Sequence, residues 1–372
     1  MDATWGQGRW LPLPRFQILQ ASGKKRPTDD GSRNEHNDMV RYSETLDCPT
    51  ATHPVIQLRA LVCALEASYG PAWQQLRVPG PECPRPLEAE TGTEDMPDAY
   101  RFVPIKPSEL AQNIVAVWDP ATGEPRYQEI FGHVFGKSAA VINFHRLHRL
   151  LTSVLRRWLA LLASFYYDDA TLQDINSSKG RGQRLFRAFF HLVGRPLSQQ
   201  KQIDLQGSAD YLGLRHDVTR AFSEGVFSFS PREKLWEKVS SMMGGFRSDG
   251  WMSPAEASKL RGVLQFMSAG TYGRVGCGGM HALIRRQYSD TAPFRLTSQL
   301  RAASLYFEQV LMLPLRRECR LWQSRRQPLV IASDGRLDSS APASVATLIV
   351  DPESGSHRAW LAEIPPALVR RW

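Results

Sequence analysis

Residues 159–167, Leu-Ala-Leu-Leu-Ala-Ser-Phe-Tyr-Tyr, are almost wholly apolar and run straight into two adjacent aspartates, Asp168 and Asp169. An apolar run this short, rich in aromatic residues at its end, reads as a buried strand. Such a strand is costly if it delivers two carboxylates into the interior, unless those charges reach water or hold a cation. The following Ala-Thr-Leu-Gln-Asp-Ile (170–175) returns as a second strand, which puts the pair at the tip of a strand–turn–strand. A lone Asp-Asp is also a common hairpin turn, so the surroundings have to decide.

Upstream of this hairpin, Ala140, Phe144, Leu147, Leu151, Val154 and Trp158 recur at steps of four and three, with His145, His148, Arg149, Arg156 and Arg157 off that stripe. This is an amphipathic helix. Downstream, a helix over about 181–193 is capped by Gly194, with Pro196 beyond it. Nearer the N-terminus, 10–20 reads as a strand that turns at Gly23 into another. A helix covers about 54–68, and 79–97, rich in Pro, Glu, Gly and Thr, reads as a loop. Strands are expected near 98–105, 113–118 and 126–131, the last two joined by a turn at 119–123, and a short strand at 210–214. From 232 to 318 the pattern is mostly helical, with Ser253-Pro-Ala-Glu256 as an N-cap and a glycine-rich bend over 270–279. After Arg326 it changes to alternating strands, which sets a boundary near 325. No internal repeat is present.

Charge narrows the partners. The sequence has 46 Lys and Arg against 37 Asp and Glu, a net +9. That balance suits a polyanion, nucleic acid before membrane, although a merely basic protein has it too. The five cysteines (48, 63, 83, 277 and 319) form no Cys-x-x-Cys pair, which argues against a zinc site or a disulfide framework and for a reducing compartment. No signal-peptide core is visible, and the most apolar stretch, 147–165, carries Arg149, Arg156 and Arg157, so it is no membrane span. The expected location is inside the cell, in cytoplasm or nucleus.

Tyr166-Tyr-Asp-Asp169 resembles the Tyr-x-Asp-Asp box of reverse transcriptases, and other segments extend the resemblance in the family's order over residues 15–214. Asp95-Met-Pro-Asp-Ala-Tyr100-Arg-Phe-Val-Pro-Ile105, with Asp95 73 residues before Asp168, resembles the first palm motif. Asp98 is the competing aspartate there, and the spacing to Tyr100 favours Asp95. Phe135-Gly136-Lys-Ser resembles the second palm motif; the same Gly-Lys-Ser lacks the spacing of a P-loop. Gly23-Lys24-Lys25-Arg26-Pro-Thr-Asp-Asp30 resembles the fingers hairpin, Gly194-Arg-Pro-Leu-Ser-Gln-Gln-Lys201 the fourth motif, and Tyr211-Leu212-Gly213-Leu214 the primer grip. Alone, a Lys-Lys-Arg turn is a solvated loop and Leu-Gly after a strand is ubiquitous. The C-terminal strands resemble the start of a ribonuclease H domain, with Asp334 in Ile-Ala-Ser-Asp-Gly-Arg (331–336) matching its first metal-binding aspartate.

The resemblance implies an α+β fold: a right-hand polymerase with fingers, an antiparallel palm sheet and a helical thumb/connection, then a truncated ribonuclease H-like sheet. The parts expected are 1–92 (partial fingers with a helical insert), 93–225 (palm), 226–325 (thumb/connection) and 326–372 (start of the ribonuclease H-like domain). The implied activity is RNA- or DNA-templated DNA synthesis by a retroelement enzyme. Asp95, Asp168 and Asp169 would be the catalytic ligands of Mg²⁺ (or Mn²⁺), the hard cations that oxygen donors suit. Lys24 and Arg26 would clamp the triphosphate of a dNTP, with Asp30 bracing the arginine. Tyr100 would exclude a ribose 2′-hydroxyl, Gly136 would let backbone approach template and incoming base, and Lys201 would act near the pyrophosphate as a general acid. Leu212 and Gly213 would support the primer of an RNA/DNA template–primer. Lys259, Arg261, Arg274, Arg285 and Arg286 are candidates to line the nucleic-acid channel, each equally readable as a solvated helix face. Glu363 substitutes poorly for the ribonuclease H glutamate, so no ribonuclease H activity is expected. Both ends look truncated, which opens a second reading: a non-catalytic remnant that at most binds nucleic acid. In a third, a helical nucleic-acid-binding module, Asp168-Asp169 is only a turn.

Overall fold

The computed structural model describes residues 1–19, 23, 25–81, 83–271, 277–313, 316–322, 329–338 and 341–366. The chain divides into two compact units, Met1–Leu321 and Trp322–Trp372. Among the described residues, the first unit contains three four-stranded sheets.

The N-terminal sheet has the order β2-β1-β4-β5, from β1 (Pro12–Leu19), β2 (Lys25–Asp29), β4 (Ile114–Asp119) and β5 (Glu124–Glu129). β1 runs parallel to β4 and the other pairs are antiparallel. Leu13, Val115 and Val134 form its small core.

The central sheet, β6-β7-β3-β8, combines β3 (Ala89–Asp95), β6 (Leu162–Tyr166), β7 (Asp169–Ile175) and β8 (Ile203–Gln206), all in antiparallel pairs. Two amphipathic helices, Ser138–Trp158 and Arg181–Leu192, cover one face. Phe144, Leu151, Leu155, Phe186 and Phe190 pack there on Ala163, Phe165, Ala170 and Leu172. Each fully buried phenylalanine contributes about 2 kcal/mol by removing its ring from water.

The third sheet is a meander of β9 (Ser208–Tyr211), β10 (Leu214–Asp217), β11 (Val226–Pro231) and β12 (Arg317–Arg320). Between β11 and β12, among the described residues, run four helices, Glu233–Asp249, Pro254–Met267, Cys277–Tyr288 and Ser298–Met312, around a core that includes Val239, Met243, Leu260, Leu283 and Phe307. Ser253 and Glu256 form the reciprocal capping box read from the sequence. The second unit is an antiparallel sheet of β13 (Val330–Asp338), β14 (Ala341–Val350) and β15 (His357–Glu363). Among the described residues no helix is long and apolar enough to cross a membrane.

The mixed α+β class with antiparallel sheets agrees with expectation; several local assignments do not. The stretch 79–97 is not all loop, because Ala89–Asp95 within it is β3, in the middle of the central sheet. Residues 98–105 form a 3₁₀ turn, Ala99–Phe102, instead of a strand. Residues 210–214 hold the turn between β9 and β10, and 317–320 is a strand at the end of the helical stretch.

Candidate active site

The hairpin of β6 and β7 pairs Tyr166 with Asp169, leaving Tyr167 and Asp168 as a two-residue turn. Tyr167 adopts φ 52°, a left-handed conformation that a bulky residue enters only at a cost of about 1–3 kcal/mol. On its other side β7 pairs with β3, in a register that sets Asp169 opposite Asp95. The Asp168 carbonyl then accepts the Met96 amide at 3.0 Å, which pins the turn to the end of β3. The three aspartates of the sequence reading are thus gathered at one end of one sheet. Asp98 is exposed at the start of the 3₁₀ turn, in left-handed backbone, and takes no part in that register.

The carboxylates disturb one another. Burial, then the charges of Asp168 and Asp95, push Asp169 up to about 6, against the opposing pull of Lys201 and Arg232. Burial and the Asp95 charge also raise Asp168. Asp95 is buried; its Oδ1 accepts Lys201 Nζ at 2.7 Å, while its Oδ2 has no partner. Crowded oxygen donors with an unpartnered buried oxygen have the chemistry that suits Mg²⁺ or Mn²⁺. Among the described residues, no three His, Cys, Asp or Glu side chains already stand at metal-ligating spacing. Lys201 serves Asp95 as its counter-ion instead.

A cleft of about 290 Å³ joins Asp95, Asp169 and Lys201 to the turn between β9 and β10. That turn, Leu212 (φ 46°) and Gly213 (φ 70°), has the two left-handed residues of a tight hairpin. A side chain at Gly213 would overlap the Phe266 ring. Arg232 and Asp210 also line the cleft, 3.9 Å apart. The sequence reading missed both. They arrive through the fold of the third sheet, and nothing in their local sequence marks them.

Around the hairpin, the Tyr100 ring meets Phe135 and Phe144 edge to face, each at 5.0 Å. Burial, then Asp168, raises the Tyr100 hydroxyl above its ordinary value. The Arg26 guanidinium lies 5.0 Å over the Phe135 ring, so Arg26 and Tyr100 flank one phenylalanine. Lys24 lies outside the described residues. Among the described residues Asp30 makes no hydrogen bond or ion pair to Arg26; its Oδ1 accepts the amides of Ser32 and Arg33, each at 3.1 Å. The buried Asp29 pairs with Arg15 at 2.6 Å.

Gly136 has a reason within the chain itself to be glycine. At φ 95°, any side chain there would overlap the Asp29 carbonyl oxygen, and a side chain on Gly31 would strike the Gly136 carbonyl oxygen. The close approach is of the chain to itself. Glu94, an unexpected polar residue beside Asp95, is buried and accepts Gln183 Nε2 at 2.9 Å and Arg187 Nη1 at 2.8 Å. Burial still raises its pKa despite those partners.

Of the basic residues suggested for a channel, Arg286 is excluded. It is 1 % exposed and donates to the carbonyls of Met252, Phe294 and Arg295 and to Asp290, which makes it an internal brace. Arg285 lies 3.4 Å from Asp290, and Arg261 sits 5.6 Å over the Tyr288 ring. Arg274 lies outside the described residues. Asp334, on β13 of the second unit, is exposed opposite Ala346 and accepts the Gly335 amide at 2.9 Å.

No protein-family model matches the sequence, and no curated protein matches it. The fold is similar to solved structures of the foamy viral protease-reverse transcriptase. One complex of that protein with double-stranded DNA superposes with a TM-score of 0.55 at 13% identity, over 96% of this chain and 52% of that one. A complex with an RNA/DNA hybrid gives 0.54 at 14% identity, over 95% and 40%. A further double-stranded DNA complex gives 0.54 at 13% identity, over 99% and 66%. The chain therefore spans between 40% and 66% of the length of the proteins it superposes on. At such identity the likeness is one of fold, and the fold of this chain is reverse-transcriptase-like.

Proposed function

We propose that the chain is a template-directed nucleotidyl transferase, an RNA-directed DNA polymerase of retroelement origin that adds dNTPs to a primer 3′ end. The observation that carries this reading is the register that sets Asp95 opposite Asp169, beside the strained Tyr167-Asp168 turn. In this reading the N-terminal sheet belongs to the fingers, the central sheet to the palm and the four helices to the thumb and connection. Asp95, Asp168 and Asp169 hold the divalent ions. Bound Mg²⁺ or Mn²⁺ would supply acidification of the attacking hydroxyl and charge neutralisation at the leaving pyrophosphate. Lys24 and Arg26 grip the triphosphate, and the Phe135 ring positions Arg26 for it. Tyr100, wedged between Phe135 and Phe144, presents a fixed wall to the sugar. Lys201 holds a proton at Nζ for the leaving group, and the Leu212-Gly213 turn supports the primer.

One observation favours a second reading, a fold that binds nucleic acid without catalysis: Lys201 occupies an oxygen of Asp95 that a metal would need. Primer extension on RNA and DNA templates, in Mg²⁺ and in Mn²⁺, separates the two. The polymerase reading expects extension by the wild type and a loss of roughly a thousandfold in Asp168→Asn/Asp169→Asn, the equivalent of about 4 kcal/mol of lost charge stabilisation. A wild type that binds primer–template and extends it on neither template leaves only the second reading. Tyr100→Ala should admit ribonucleotides; unchanged sugar discrimination would remove its assigned role.

A further inference from the structure

A second cleft, of about 440 Å³, lies along β6, the edge strand of the central sheet. Ser164, Phe165 and Tyr167 form one side. The Ser138–Trp158 helix contributes a second through His148, Arg149 and Arg156, and the segment from Asp47 to His53 a third. None of its lining residues lines the cleft of Asp95 and Asp169.

Its charges are unbalanced. Arg149 is exposed, and its guanidinium has no hydrogen bond or ion pair among the described residues. Arg156 gives Nε to the Ala163 carbonyl at 3.0 Å and Nη2 to His53 Nε2 at 3.0 Å, and so satisfies the edge of β6 without meeting a carboxylate. Among the described residues, Asp47 is the one acidic residue in the lining. Deeper in the cleft the lining is aromatic and neutral. His148 lies against Phe144 at 3.9 Å and Phe165 at 4.9 Å. Its Nδ1 donates to the Phe144 carbonyl at 3.0 Å, which leaves Nε2 a bare acceptor with no partner. Burial keeps that ring neutral by lowering its pKa to about 4.

Two guanidinium groups against one carboxylate leave a net positive mouth that attracts an anion, and phosphate is the anion that a planar guanidinium grips best. At ~30 Å³ per water, the space holds roughly fifteen waters, too much for one phosphate group alone. A bare imidazole acceptor calls for a hydrogen-bond donor, and a nucleotide, which also fills more of the space than one phosphate, carries such donors on its base or sugar. We propose that this cleft binds a single nucleic-acid strand, with Arg149 and Arg156 on its backbone phosphate, beside the turn that carries Asp168. The site requires nucleic-acid binding by the chain and does not require catalysis.

The test is fluorescence anisotropy of the full chain with a labelled single-stranded oligonucleotide, titrated across salt concentrations without dNTP or divalent ion. Each phosphate contact on a single strand contributes about 0.7 to the slope of log K against log salt. Arg149→Ala should weaken binding and lower that slope by about 0.7, and Arg149→Lys should keep it. Arg157→Ala, an exposed position outside the cleft, should change neither. An unchanged slope in Arg149→Ala, or an equal fall in Arg157→Ala, overturns the site. Millimolar inorganic phosphate at constant ionic strength should leave the Arg149-dependent part of binding intact; its removal would mean a free-anion site and overturn the strand. Because the readout is binding, a chain that fails to extend a primer still tests this site.

Discussion

Asp169 bears the clearest electrostatic cost at the site. Its folded pKa of about 6 exceeds the ordinary 3.8, so the native state holds a proton more tightly than the unfolded chain does. Stability from this group is therefore full at low pH and is lost as pH rises from about 4 to 6. Asp169→Asn removes the cost, so it should raise Tm at pH 7.5, with the gain vanishing near pH 4. Mg²⁺ should raise the Tm of the wild type and do so less in the variant, because a ligand that binds only the native state stabilises it by mass action. A wild-type Tm indifferent to millimolar Mg²⁺ and Mn²⁺ would count against the metal site. At this scale legibility followed from local chemistry. Asp168 and Asp169 stood out because an apolar run ended in them, whereas Asp95 was reached only through the resemblance of its segment to the first palm motif. Arg232 and Asp210 carried no such mark, since only the folding of the third sheet brings them to the cleft.

At the scale of elements, the helices around the hairpin were legible because their apolar positions keep a period near 3.6. β3 was not, because Ala-Glu-Thr-Gly-Thr-Glu-Asp has no apolar alternation, yet six of its seven residues are buried. Its polar groups are answered from other elements: Glu94 by Gln183 and Arg187, and Thr91 by Gln173. Gly92 leaves the room that β8 needs, since a side chain there would press on the Ile203 carbonyl oxygen at 2.9 Å. A central strand can be polar when its neighbours supply partners, and those neighbours are far away in sequence. The turn between β9 and β10 offers a test of packing between elements. Gly213→Ala places a side chain in left-handed backbone and against the Phe266 ring, at a cost of about 2–4 kcal/mol. Phe266→Ala in the same chain should recover the steric part and leave about 1 kcal/mol, read by urea denaturation. No recovery in the double variant would mean that the ring is not what the glycine avoids.

At the scale of the molecule, the division after Leu321 sets the three sheets of the first unit apart from the antiparallel sheet that carries Asp334. β12 completes the third sheet just before the division, pairing Cys319 with Phe227 and Arg320 with Val226. A chain ending at 326 should therefore keep the cooperative unfolding of the first unit, with a Tm within a few degrees of the full chain. Loss of the transition on truncation would show that the two units fold as one. The seam between Gly31 and Gly136 has a consequence for how such a chain tolerates change. Gly31 leaves room for the backbone of Gly136, and Gly136 for that of Asp29, across roughly a hundred intervening residues, so any replacement at Gly136 drives a side chain into the Asp29 carbonyl. No substitution at one position can be absorbed by a smaller residue at the other, because none exists. In a library of random variants screened for folding, substitutions at these two positions should both be depleted.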